Sequence, residues 1–513
     1  MRQMSLQNIA RACGGTYCGP KELAREEITG VVIDSRQAGG GGLYVAMRGA
    51  RVDGHTFIPD VFEKGALAVL SEQDLENPAG PYIRVDSCPQ ALKDLAEFYR
   101  SALTIPVIGI AGSVGKTSTK EMIAAVLEQK YCVLKTEGNF NNEIGLPLTL
   151  LRIRPEHEVA VVEMGISDFG EMHRLAKMAR PDICVMTNIG QCHLENLIDR
   201  DGVLRAKSEM FDFLKPDGVI ILNGNDDKLS EIDTVRGIRP IRYFVEDQSA
   251  ERRNEFYFVT ADNIQNRGLD GMDAVLHFHS ETAGACSARR EDGTTCSDRS
   301  GAGSANSGRR EAGTTCSDRS ETGSASSGSG SSCSVHEPIP GLHNIYNACA
   351  AACVGRALGL RYAEICAGIA SARTIAGRTN LIQTGGITII DDCYNANPVS
   401  MKASLDVLSL AAGRKIAVLG DMGELGERER EMHRGVGAYA AEQGIDIVLC
   451  TGELSKDLKD AASSGCTAEH FDSCGELLER LLSLIKKGDA VLVKASHSMQ
   501  FSEITDALAR RFR

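Results

Sequence analysis

Short runs rich in branched apolar residues alternate with helix-patterned stretches along this chain, and the series restarts twice. The first series includes "ITGVVI", "LYVAM", "ALAVL" and the helical stretch "PQALKDLAEFYRSA". The second opens at "IPVIGIAG" and runs through "EVAVVEMG", "DICVMTNIG", a helix around 203 to 214 and "GVIILNG". The third is "GITIIDD", "RKIAVLGDMG", "IDIVLCTG" and "DAVLVKAS". This alternation predicts α/β domains whose parallel sheets are covered on both faces. With 513 residues the chain exceeds what one hydrophobic core organises. The expected domains are 1–104, 105–375 and 376–513.

One segment breaks the rhythm. Residues 281–335 are mostly Ser, Gly, Thr, Ala and Arg, and "RREDGTTCSDRSGAGSANSG" (289–308) is followed at once by the near copy "RREAGTTCSDRSETGSASSG" (309–328). Neither copy has an apolar face to stack on its neighbour, so the tandem predicts a solvated, disordered insertion and not a structural repeat.

Bulk properties narrow the function classes. Net charge is −13, from 56 basic and 69 acidic residues, which argues against general affinity for nucleic acid or anionic membrane. No apolar run approaches bilayer length and the first residues carry no signal-like segment, so the expected location is the cytoplasm. Seventeen cysteines include no C-x-x-C pair, and Cys349 and Cys353, four apart on a predicted helix, read as small core residues.

The chemistry begins at "PVIGIAGSVGKTSTKEM", residues 106–122. The usual G-x-x-x-x-G-K-[ST] spacing would put its first glycine on Ile110, so the loop is the shorter Gly112-Ser113-Val114-Gly115-Lys116-Thr117, followed by Ser118. Glycines let successive N–H groups turn toward phosphate oxygens, the following helix presents its positive end, and Lys116 neutralises the outer phosphates. The Thr117 hydroxyl suits Mg²⁺. Glu163, at the end of "VVEMG", sits at a predicted strand tip, where ligands gather in α/β sheets, and suits a second Mg²⁺.

The short loop resembles that of the Mur ligase family, ATP-dependent enzymes that join amino acids or peptides to a nucleotide-linked sugar carboxylate in cell-wall synthesis. "TNIGQCHLENLIDRDGVLRAKSEMF" (187–211) resembles the family block in which a histidine binds metal and a lysine is carbamylated, matching His193 and Lys207. "GLHNIYNACAAACVGRALGL" resembles its adenine-side helix, with Asn344 as the base contact. "AGRTNLIQTGGITIIDDCYNANPVSMKASLDVL" resembles the start of its C-terminal domain, where Arg378 and Asp392 reach back to the nucleotide. "VIDSRQAGGGGLYVAMRGARVDGHTFI" resembles its uridine-nucleotide domain, with Ser35 and Arg36 near the diphosphate.

The resemblance implies a three-domain architecture: a small N-terminal α/β domain, a central P-loop parallel sheet and a C-terminal Rossmann-like domain. Within the family, "TEGNFNNEIGLPLTLL", "DDCYNANPVSMKAS" and "LGDMGELGE" are similar to the member that appends D-alanyl-D-alanine to UDP-N-acetylmuramoyl-tripeptide. Asn139, Asn141, Asn142, Tyr394, Asn395 and Asn397 are then substrate contacts, ATP and Mg²⁺ the cofactors, and the enzyme a monomer without nucleic-acid or membrane partners. "VKASHSMQ" departs from the family's K-G-S-R, putting His497 at the arginine position. The competing readings are a folate-type glutamate ligase, a P-loop kinase or motor ATPase, and a non-catalytic homologue. The "DSR" segment disfavours the first, the short loop with the His193 and Lys207 block the second, and the presence of Lys116, Thr117, His193 and Lys207 the third.

Overall fold

The computed structural model describes residues 1–245, 257–279 and 331–512. Its strands form three sheets, drawn from residues 16–84, 107–337 and 380–494. In the first, Leu43–Val45 lies between Val31–Val32 and Ala68–Ser71, both parallel to it, and Tyr82–Arg84 follows before the antiparallel edge Thr16–Cys18. The helix Cys88–Ser101 covers this sheet. Ser87 caps it by accepting from Gln90 N–H at 3.3 Å, a proline occupies its first turn, and Leu92, Leu95, Ala96 and Tyr99 form its buried face.

The second sheet has nine strands, with Val107–Ala111 between Ile183–Met186 and Val159–Glu163, all parallel. Every residue of these three strands is buried, as two-sided coverage requires. The helices Lys116–Leu127 and Leu342–Ala357 pack on one face, where Cys349 and Cys353 are fully buried core residues and burial pushes both thiols upward. At the far edge the sheet turns antiparallel through Tyr257–Asn266, Met272–Phe278 and Ser331–Glu337. This corrects the expected insertion boundary. Residues 331–335 pair with 274–278 as an edge strand, in which only Val335 and Glu337 are buried, so a mostly polar sequence suffices. Residues 281–330 of the expected insertion, including both tandem copies, lie outside the described residues.

The third sheet has six strands and only one antiparallel pair, Asn380–Thr384 with Ile387–Asp391. Its central strands, Lys415–Gly420 and Ala490–Lys494, end at Gly420 and Lys494. The C-terminal strand ends of the second and third sheets border one cleft, the location such sheets favour for ligands.

Candidate active site

Gly112 follows the strand Val107–Ala111 with φ +150°, and a Cβ there would lie 2.0 Å from Thr187 Oγ1. The backbone therefore runs against the neighbouring strand end in a way only glycine permits. Gly115, at φ +81°, turns the chain into the helix Lys116–Leu127. Asn188 holds the loop between these glycines. Its Oδ1 accepts from Val114 N–H at 3.0 Å, its Nδ2 donates to Val114 O at 3.1 Å, and its own carbonyl accepts from Ser113 N–H at 3.0 Å. Thr187 Oγ1 also donates to Val114 O at 2.7 Å, and Ser113 Oγ accepts from Gly190 N–H at 2.8 Å. The loop is thus preorganised, with a twelve-residue helix behind it presenting unpaired N–H groups and a positive dipole end. Lys116 Nζ folds over it and donates to Gly112 O at 2.8 Å.

The cleft encloses about 680 Å³. Ser113, Val114, Gly115, Lys116, Thr117 and Ser118 form its floor, and Glu163 stands beside them. Thr117 Oγ1 donates to Glu163 Oε2 at 2.9 Å, and Asn141 Nδ2 donates to Glu163 Oε1 at 2.8 Å, so a buried carboxylate and a hydroxyl share one position next to Lys116. The opposite wall comes from the third sheet: Arg378, Asp392, Tyr394, Asn395 and Asn397. The Arg378 guanidinium lies 4.0 Å from the centre of the Tyr394 ring, and the His497 ring lies 5.4 Å from that same ring. Asp392 is committed within its own domain, accepting from Lys494 Nζ at 2.7 Å, Ser404 Oγ at 2.5 Å and Thr379 N–H at 3.1 Å.

His193 also lines the cleft, at φ +53°. Burial lowers its pKa, against the opposing pull of Glu424 and with the nearby Lys207 and Lys116 charges adding to the depression. Lys207 lies within electrostatic reach of Lys116, Cys192 and His193, on the helix Arg200–Ser208, and is 1% exposed. Among the described residues no acceptor or carboxylate lies in hydrogen-bond or ion-pair range of its amine, and burial pulls its pKa down to about 8.

The remaining expected site residues divide between the cleft and its surroundings. Asn344 is 2% exposed; its Nδ2 donates to Pro340 O at 2.9 Å and its Oδ1 accepts from Asn347 at 2.9 Å, while His343, Tyr346 and Asn347 of the same helix reach the cleft. Asn142 lines the cleft and accepts from Gly145 N–H at 2.9 Å, whereas Asn139 is exposed on the preceding turn and is not part of the lining. Ser35 and Arg36 lie in the first domain, outside the cleft, where Arg36 is 86% exposed and pairs with Asp34 at 2.6 Å. The sequence reading did not single out Asn188 or Glu424, although both fall inside quoted stretches.

A glycine loop opening a helix, with a lysine and a hydroxyl–carboxylate pair beside it and a second α/β sheet facing it, is the site of a P-loop nucleotide enzyme assembled from several domains. Family descriptions match in three places: "Mur ligase family, catalytic domain" at residues 27–100, "Mur ligase middle domain" at 110–284 and "Mur ligase, glutamate ligase domain" at 377–497. The chain belongs to the Mur ligase family. It is 33% identical to the UDP-N-acetylmuramoyl-tripeptide--D-alanyl-D-alanine ligase of Bacillus subtilis strain 168, over 99% of each chain. The protein of that name from Escherichia coli K12 is also 33% identical, over 95% of each. Among solved structures, MurF from Acinetobacter baumannii superposes with a TM-score of 0.79 at 28% identity, over 99% of this chain and 98% of that one. MurF ligase from Thermotoga maritima in complex with ADP gives a TM-score of 0.72 at 26% identity, over 94% and 97%.

Proposed function

We infer that this chain is an ATP-dependent ligase that adds D-alanyl-D-alanine to UDP-N-acetylmuramoyl-tripeptide, giving the pentapeptide nucleotide, ADP and phosphate. The observation that carries this reading is a preorganised phosphate loop facing a second domain across one cleft, in a chain matching ligases of that name along 99% of its length. A free carboxylate resists an amine because its oxygen leaves poorly. In the proposed reaction the tripeptide's terminal carboxylate attacks the γ-phosphorus of ATP, making an acyl phosphate. The dipeptide amine then adds to the acyl carbon, and the tetrahedral state expels phosphate. Loop N–H groups and Lys116 hold the nucleotide phosphates and absorb charge that develops on them.

The donor set fits Mg²⁺. Thr117 Oγ1 and Glu163 Oε2, 2.9 Å apart in the cleft, are the hard oxygen donors the ion prefers. Lys207, buried without a partner and with its amine made readily neutral, is suited to add CO₂, losing a proton and gaining a carbamate that turns a cationic side chain into an oxygen donor beside His193. Thr117, Glu163, His193 and carbamylated Lys207 would hold the ions, whose contribution when bound is to neutralise phosphoryl and carboxylate charge.

In this reading residues 1–104 bind the uridine nucleotide through Ser35 and Arg36, residues 105–375 bind ATP, with Asn344 on the adenine side, and residues 376–513 supply Arg378 and Asp392 toward the nucleotide. Asn139, Asn141, Asn142, Tyr394, Asn395 and Asn397 contact the peptides. Closure of the C-terminal domain completes the site and keeps water from the acyl phosphate. The enzyme acts in the cytoplasm as a monomer; among the described residues no helix is long and apolar enough to cross a membrane. ADP release measured with a panel of acceptors tests the reading: turnover should require D-alanyl-D-alanine, and turnover with glutamate instead, or without any acceptor, contradicts it.

A further inference from the structure

One contact links the central and C-terminal domains through strained backbone on both sides. Glu424 Oε2, from the loop after the strand Lys415–Gly420, lies 2.5 Å from His193 Nδ1. His193 has φ +53° and Glu424 φ +61°, left-handed conformations that neither residue type adopts without cost. The loop carrying Glu424 is held from several directions. Asp421 Oδ1 accepts from Ser455 N–H at 2.7 Å and Gly423 N–H donates to Ser496 Oγ at 2.7 Å. Met422 N–H donates to Nε2 of the fully buried His433 at 2.9 Å. Two residues past Glu424, Gly426 approaches the backbone of Leu194 and Glu195, so the loop seats on the turn that follows His193.

Exposed ion pairs contribute little to stability, and Glu424 is 58% exposed, so stability does not account for strained backbone held in place on both sides of this contact. The carboxylate oxygen is close to Nδ1, yet among the described residues Nδ1 has no aligned hydrogen-bond acceptor in this arrangement. A carboxylate only accepts, so a neutral imidazole facing it carries its single proton on Nδ1 and keeps the Nε2 lone pair free.

We propose that Glu424 is a positioning residue that, as the C-terminal domain closes on the central one, accepts the Nδ1–H of His193 and thereby fixes the imidazole as an Nε2 ligand for a divalent cation. Domain closure and metal competence are then one event. The inference rests on the reading of His193 as a metal ligand under the proposed function.

The test uses the full-length enzyme labelled with ¹⁵N-histidine, with His193 assigned through His193→Gln, and reads the protonated ring nitrogen by NMR without metal. Mn²⁺ affinity in the presence of ADP is measured on the same samples. Wild type should carry the proton on Nδ1; Glu424→Ala should move it toward Nε2 and weaken Mn²⁺ binding about 10-fold. Glu424→Asp, which keeps a carboxylate that can only accept, should retain more of the wild-type tautomer than Glu424→Ala. An unchanged tautomer with unchanged Mn²⁺ affinity in Glu424→Ala overturns the proposal. Failure of the ligase reading is seen separately, as absence of dipeptide-dependent ADP release, and the tautomer measurement decides the role of Glu424 in either case.

Discussion

Two helices of the central domain each bury a lysine to 1% exposure and surround it differently. In the helix Lys116–Leu127, Lys120 Nζ donates to Thr136 O at 2.6 Å and lies 2.9 Å from Glu121 Oε1, so its charge is matched where it sits. In the helix Arg200–Ser208, Lys207 meets no such partner among the described residues, and burial brings its pKa down to about 8. A paired buried ammonium is an element of architecture. An unpaired one is easily made neutral, and a neutral amine is a nucleophile. Burial alone does not separate structural from chemical lysines; partnership does.

The largest effect should come from Lys116, outside that comparison because it lies over a solvated anion site. Lys116→Ala should lower ligase turnover by at least about 10³-fold with an unchanged melting transition. Lys207→Ala should lose nearly all activity and regain part of it in formate or acetate, which would occupy the vacated donor position; full activity without additive removes the carbamate. Lys120→Ala sharpens the contrast: it leaves Glu121 without one of its partners and should cost about 3 kcal/mol of stability, read by thermal melting, with no response to formate.

Glu337 extends the comparison to an acid. It is fully buried, its Oε2 has no partner among the described residues, and burial raises its pKa from 4.5 to about 8. The folded state then holds a proton that the unfolded chain releases. Its contribution is fully present below about pH 4.5 and is lost as pH rises to about 8, a swing on the order of 5 kcal/mol. Glu337→Gln, which imitates the protonated acid, should flatten the melting temperature across that window.

The smallest effect should follow deletion of residues 281–328. Phe278 pairs directly with Ser331, so a short glycine-containing turn can join those strands, and the removed sequence lacks apolar residues to contribute to a core. Activity and melting temperature should stay close to those of the full chain.

The phosphate loop was legible because strand, glycines and helix are contiguous in sequence, and Glu163 because a strand tip can be placed from an apolar run. Asn344 was assigned to the nucleotide from its stretch alone. Which face of a helix meets a cleft is set by distant residues: His343, Tyr346 and Asn347 line it, and Asn344 lies beside them, bonded to Pro340 O and Asn347. The strand Ser331–Glu337 was hidden because an edge strand with two buried side chains needs little apolar sequence. The Glu424 contact was out of reach because it depends on how two domains sit together.

The most direct test of the central claim follows the carboxylate oxygen. UDP-N-acetylmuramoyl-tripeptide labelled with ¹⁸O in its terminal carboxylate is incubated with ATP, Mg²⁺, D-alanyl-D-alanine and the enzyme, and phosphate and nucleotide products are weighed by mass spectrometry. The account predicts one ¹⁸O in the released phosphate for each pentapeptide nucleotide formed. Phosphate without label, or ADP formed without the dipeptide becoming attached, would contradict it.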